Sequence, residues 1–226
     1  MRRYAHLIAW LSLSLLATGA RAIENDPVDR LDAATDILAK TLSLPEQEIP
    51  PALLRNAQGI AVIPGVIKAG FVIGGSYGRG VMTVHDSEGR WSQPIFIKLM
   101  AGSVGWQIGA QSTDVVLVFK TRRSVDGLLH GKFTLGADAA VAAGPIGRRG
   151  EAATDVELNA EIVSYSRSRG LFAGVSLEGA QLDIDHETDV NFYGKEVNAR
   201  DIQAGKVAMP ASAEHFMRAV RKATGL

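Results

Sequence analysis

Gly74-Gly75-Ser76-Tyr77-Gly78 has the G-x-S-x-G form of a nucleophile elbow. That chemistry requires a strand, a strained turn exposing the serine, then a helix, with acid and histidine partners later in the chain. Here Val81-Met82-Thr83-Val84 follows with strand character, and His85, His130, His186 and His215 stand in ordinary polar or helical surroundings. A glycine-rich β turn produces the same pattern without a nucleophile. No catalytic residue is assigned, and a hydrolase built on Ser76 stands only as an alternative.

A second group is acidic. Asp183, Asp185, Glu187 and Asp189 surround His186 within seven residues. The spacing resembles the start of a calcium loop but lacks the turn glycine and the closing glutamate. An acidic helix start explains it as well, because carboxylates favour helix N-termini. There is no H-E-x-x-H pair, no cysteine and no G-x-x-x-x-G-K-[ST] run, so no metal, cofactor or nucleotide is expected.

A third group is basic. Lys120, Arg122, Arg123 and Lys132 follow a strand pattern closely, with Arg148, Arg149, Arg167 and Arg169 in later loops or hinges. If these strand ends share one rim, they form an edge for the phosphates of lipid head groups. Scattered solvated charge is the alternative. Phe71, Tyr77 and Trp106 stand near glycine-rich turns and are candidate apolar contacts for lipid, with core packing as their other fate.

The element that must position these groups is the stretch over residues 59–80, nearly all apolar or glycine apart from Lys68 and Arg79. Related runs recur over residues 101–111 and 170–180. Interior glycines each cost a helix about 1 kcal/mol, so the runs are expected as strands, with glycine marking bulges or close approaches. Asp26-Pro27 predicts a helix start, with Val28, Leu31, Ile37, Leu38 and Leu42 on one face. A short helix is expected over residues 52–57 and others over 185–193 and 211–223. Residues 133–143 are ambiguous between strand and helix, and residues 171–182 read as one strand.

Residues 1–22 have a basic start, an apolar run too short to span a bilayer and small residues before a break, which is the layout of a cleaved export signal. Removing them takes away Arg2, Arg3 and Arg21 and turns a balance of 24 basic and 24 acidic residues into a net charge of −3. That is against the basic balance of nucleic-acid binding. Residues 23–226 suit one domain held together by burial alone, in a periplasmic or secreted location.

Several ordered motifs now point to a family. Lys68-Ala-Gly-Phe71, Gly78-Arg-Gly80, Ile108-Gly-Ala-Gln111 with Thr113-Asp114, Leu135-Gly-Ala-Asp138 and Ala143-Gly-Pro145 resemble the signature of the SYLF domain, also called the Ysc84 or DUF500 domain. Ser164-Tyr-Ser166, Gly170-Leu-Phe-Ala-Gly174 and Asn191-Phe-Tyr-Gly194 continue it. The resemblance implies a lipid-binding module without known catalysis. Its eukaryotic members bind phosphoinositides, and some bind actin filaments, often beside an SH3 or FYVE domain. On this reading the chain is expected to stand without such a domain and to be exported, and its first helix is acidic where those members have a basic one. These departures argue against carrying actin and phosphoinositide binding over, and favour an exported bacterial branch acting on phospholipid at the envelope, its protein partners unspecified.

The expectations are therefore an α+β fold, a strongly curved antiparallel sheet or partly closed barrel with helices from both chain ends packed on it, and a non-enzymatic lipid-binding role. A structural or protein-interaction module of the envelope, pairing its glycine strands with another edge strand, is the alternative.

Overall fold

A computed structural model describes residues 26–41, 49–70, 73–104, 109–145, 159–168 and 171–225. Helix α1 covers Pro27–Thr41, and the Asp26 carboxylate accepts the Val28 N–H at 2.8 Å, as the Asp-Pro start predicts. A short α2 covers Pro51–Arg55. Four long strands follow: β1 Gly59–Gly70, β2 Ile73–Val84, β3 Ile95–Val104 and β4 Gly109–Phe119. After α3 (Arg122–Leu129) come β5 (Phe133–Thr134), β6 (Val141–Ala143), β7 (Ile162–Ser168), β8 (Leu171–Gly174) and β9 (Gln181–Ile184). Helices α4 (His186–Tyr193), α5 (Ala199–Gln203) and α6 (Glu214–Thr224) complete the chain.

The fold is α+β, a single curled sheet with the order β5-β9-β3-β2-β1-β4-β7-β6 and β8 on β7. All pairings are antiparallel except β6 with β7. That exception arises in the ambiguous stretch over residues 133–143, which divides into two short strands on opposite sides of the sheet. Residues 171–182, expected as one strand, divide likewise. β8 stays on β7, and the chain then turns through Gly179 (φ +80°) to place β9 beside β3.

Burial on both faces explains why β1 reads as an unbroken apolar run. Ile60 and Val62 point to one face, where Leu31 and Leu38 of α1, Leu54 of α2 and Phe216, Met217 and Val220 of α6 cover Val81, Phe96 and Val118. Ala61 and Ile63 point to the other, where Leu128 of α3, Phe133 and Ile202 of α5 cover Ile97, Leu117 and Phe119. Both terminal helices thus pack on one face. Val28, placed by its spacing on the inner side of α1, is 37 % exposed.

The sheet bends at a bulge in β1. Val62 pairs with Val81 but Ile67 pairs with Tyr77, so β1 carries one residue more than β2 between these points. Gly65 supplies φ +57° there, a conformation costly for any side chain with a Cβ. Its N–H donates to Asp114 Oδ1 at 3.0 Å, while Arg167 donates to Asp114 Oδ2 through Nε at 2.9 Å and Nη2 at 2.6 Å. On β2, a Cβ at Gly78 would stand 2.8 Å from Ile63 Cγ2, and one at Gly80 2.5 Å from the Val62 carbonyl oxygen. The two glycines let β1 lie close over β2 where it bulges.

Candidate functional site

Register across the bulge determines which side chains meet beyond the helices. On the face that α1 covers, the ranks run outward from the core. Val81 and Phe96 lie under the helices, and Arg79 of β2 pairs with Lys98 of β3, which pairs in turn with Asp183 of β9. The next rank is Met100, Tyr77, Ile67 and Ser112 on β3, β2, β1 and β4. Ile67 is 44 % and Met100 38 % exposed, with Tyr77 half-buried between them. Gly75 and Gly102 form a register pair in the rank beyond, and neither brings a side chain over the row. The result is an exposed apolar row across three adjacent strands.

Charge lies directly beneath that row. Arg79 Nε donates to the Tyr77 hydroxyl at 2.8 Å, fixing the phenol along the strand. Lys98 Nζ is 2.9 Å from Asp185 Oδ1, with Arg30 Nη1 at 3.7 Å and Arg79 Nε at 3.9 Å from Oδ2. Asp185 is 1 % exposed and caps α4 by accepting the Thr188 N–H. Burial works against its ionisation, but the Lys98 ammonium and the Thr188 donors outweigh burial and hold its pKa below the usual carboxylate range. Arg30, 5 % exposed, also lies over the Phe96 ring at 5.4 Å from its centroid. The acidic stretch is thus a helix start, and its buried carboxylate holds cations from α1, β2 and β3. Among the described residues, no cluster of histidine and carboxylate side chains could hold a metal ion.

The sequence candidates separate into two places. Tyr77 lies in the apolar row, whereas Phe71 and Trp106 lie outside the described residues, as do Arg148, Arg149 and Arg169. Lys120, Arg122 and Arg123 stand at the opposite end of β4. Seven residues from Ser112 to Phe119 put roughly 23 Å between them and the row. The Arg122 guanidinium donates to the His85 and Asp86 carbonyls at 2.7 and 3.0 Å. Arg123, 81 % exposed, reaches Glu161 at 3.6 Å, the Lys120 N–H donates to the Glu161 carbonyl, and Lys132 is exposed. Arg167 binds Asp114 instead of joining them. The structure therefore does not bring the basic candidates and Tyr77 together. Ile67, Met100 and Arg30 were missed, since neither register across a bulge nor a buried ion partner can be read from local spacing.

Ser76 lies inside β2, paired with Lys68 and Ala101, with no strand-to-helix turn after it. An open depression of about 300 Å³ between α3 and α5 is lined by Asp126, Leu129, His130, Arg200 and Gln203. Its polar groups are satisfied locally: His130 Nδ1 meets the Asp126 carbonyl oxygen at 2.5 Å and its Nε2 meets Arg200 Nη2.

Several residues that carry the family resemblance turn out to hold the fold. Asp114 ties the bulge, Gly144 lies against the Tyr165 ring, and the Tyr165 hydroxyl donates to the Pro145 carbonyl at 3.1 Å. Gly174 approaches the Gly144 backbone, and Gly194 ends α4 with φ +67°. The profile of the Ysc84 family, described as Las17-binding protein actin regulator, matches residues 100–223. This chain belongs to the Ysc84 family. It is 35 % identical over 207 residues to LAS seventeen-binding protein 3 of Saccharomyces cerevisiae, covering 86 % of this chain and 45 % of that one. It is 36 % identical over 176 residues to protein YSC84 of the same yeast, covering 76 % and 37 %. The SH3 domain-containing YSC84-like protein 1 of Rattus norvegicus is 38 % identical over 171 residues, 75 % of this chain and 50 % of that protein. The chain therefore spans half or less of the length of these relatives.

Proposed function

We propose that this Ysc84-family chain is an exported, non-enzymatic lipid-binding protein that meets phospholipid through Ile67, Tyr77 and Met100. The observation that carries this reading is the row itself, three apolar side chains in register at the uncovered part of a sheet whose other apolar ranks lie beneath helices. Partial insertion of such a row into the interface between head groups and acyl chains removes it from water, at about 25 cal/mol for each Å². Among the described residues no helix is long and apolar enough to cross a membrane, so the mode envisaged is peripheral. Lys120, Arg122, Arg123 and Lys132, at the far end of β4, would serve only a second contact with anionic lipid.

The test is co-sedimentation of residues 23–226 with zwitterionic and anionic vesicles at low and high salt. Binding that persists at high salt and on zwitterionic vesicles is expected for the apolar row. Binding only to anionic vesicles and lost with salt would move the contact to the basic rim. A protein partner is the second reading, favoured by the family description, which is that of Las17-binding actin regulators. Absence of binding to every vesicle, together with saturable binding to purified actin filaments, would establish it.

A further inference from the structure

The rank behind the apolar row carries a positive charge that its own acids do not match. Arg79 and Lys98 are register partners on β2 and β3, so two cations stand side by side on one face, an arrangement that is destabilising by itself. Arg30 reaches in from α1, and all three lie within 4 Å of the Asp185 carboxylate. Asp183, the register partner of Lys98 on β9, is the second acid beside them. Asp189, buried deeper on α4, accepts the Phe96 N–H at 2.9 Å, and burial pushes its pKa up to about 8. At neutral pH three cations thus face two ionised carboxylates, and one positive charge is left over.

Two of these cations are within reach of a ligand. Lys98 and Arg79 are each 26 % exposed beside the row, whereas Arg30 is 5 % exposed. An ammonium has three N–H donors, and Asp185 Oδ1 takes one from Lys98. Arg79 Nε donates to the Tyr77 hydroxyl, which ties the guanidinium to a side chain of the row. Their position along the strands suits a bilayer interface. Arg79 and Lys98 stand two residues from Tyr77 and Met100, about 7 Å along the strand. An apolar face seated in the interface sinks by about 5 to 10 Å, so cations one rank back come level with the phosphates.

We propose that Lys98 and Arg79 form a seat for the phosphodiester of a phospholipid whose acyl chains meet Ile67, Tyr77 and Met100, with Asp185 holding both cations in place from below. This rests on the lipid contact proposed above and names the chemical group recognised there. A phosphodiester carries one negative charge, which matches the surplus, and its oxygens accept from an ammonium and a guanidinium together. Cations bordering an apolar row favour a phosphate that arrives with acyl chains over a free one. The seat takes zwitterionic and anionic phospholipids alike and is separate from Arg122 and Arg123 at the other end of β4.

The experiment compares phosphatidylcholine with digalactosyldiacylglycerol vesicles, both without net charge, of which only the first carries phosphate. Residues 23–226, which contain every described element, should bind phosphatidylcholine about threefold or more the tighter, as a partly exposed ion pair allows. Equal affinity for the two would overturn the seat and leave the apolar contact standing, whereas no binding to either would overturn both. In Lys98→Gln the preference should vanish through loss on phosphatidylcholine alone, and an equal loss on both surfaces would overturn the seat. Should that variant not fold, Asp183→Asn decides. Removing the acid beside Lys98 should raise affinity for phosphatidylcholine about twofold and leave galactolipid binding unchanged, and the absence of a gain would overturn the seat. Displacement from phosphatidylcholine by millimolar inorganic phosphate would overturn the lipid as the source of the phosphate.

Discussion

Lys98 Nζ meets Asp185 Oδ1 at 2.9 Å, and this one contact joins the central sheet to the N-terminus of α4. The same carboxylate lies within 4 Å of Arg30 from α1 and Arg79 from β2. Four elements therefore share one buried anion. Asp185→Asn would leave three cations around a neutral amide and weaken the helix cap. The expected loss is about 3 kcal/mol of unfolding free energy, the lower end for a broken buried pair because Lys98 and Arg79 are each 26 % exposed. Urea denaturation checks this, and a loss under 1 kcal/mol would show the cluster to be energetically idle.

The two aspartates of α4 pull stability in opposite directions with pH. Asp185 has a lowered value when folded, so its contribution is present above the ordinary carboxylate range and fades as pH falls through the lowered value. Asp189, raised to about 8, contributes fully below about 4 and loses that contribution as pH rises toward 8. The difference in urea midpoint between the wild type and Asp189→Asn removes the other titrating groups. It should favour the wild type most at about pH 4 to 5 and shrink steadily toward pH 8. A difference independent of pH would mean that Asp189 is ionised throughout.

Gly144 is held to its size by Tyr165. A Cβ there would enter the buried phenol ring, whose hydroxyl is already committed to the Pro145 carbonyl. Gly144→Ala is expected to cost about 1 to 3 kcal/mol, as overpacking of a filled core does. Combining it with Tyr165→Leu should recover part of the loss, which thermal denaturation can measure. No recovery would mean that the clash lies with the backbone around Gly174.

Asp114 holds the bulge from two sides, through the Gly65 N–H and the Arg167 guanidinium. Asp114→Ala should cost about 1.5 to 3 kcal/mol, the range for hydrogen bonds to a charged group. It should also loosen the alignment of Ile67 with Tyr77, so vesicle binding should fall along with stability. Vesicle binding at full strength in a destabilised Asp114→Ala protein would separate the row from the bulge.

What could be read in the sequence follows from how local each signal is. The Asp26-Pro27 start and the glycine-rich strands over residues 59–70 and 73–80 are written in neighbouring residues, and both appear as expected. The apolar stretch of β1 shows the strand, and its continuity reflects helices on both faces. Residues 171–182 misled because their apolar content hides the turn at Gly179 that moves the chain across the sheet. Arg30 looks like a solvated helix residue, and only its distant partner Asp185 makes it a buried one. The basic side chains after β4 are neighbours in sequence. That they stand at the other end of the strands from Tyr77 follows from the β1–β4 register, which no local pattern records.

The most direct measurement compares vesicle affinity for Ile67→Asp with Met100→Asp against Arg122→Glu with Arg123→Glu. All four positions are partly or well exposed, so both double variants should stay folded, which circular dichroism verifies. Replacing two apolar contacts by charge should weaken binding at least tenfold, since burying each such side chain contributes about 1.5 to 3 kcal/mol. The arginine pair should change affinity less than threefold at physiological salt, as expected for screened surface charge. Full binding by the aspartate variant, with loss in the glutamate variant, would contradict a lipid contact at Ile67, Tyr77 and Met100.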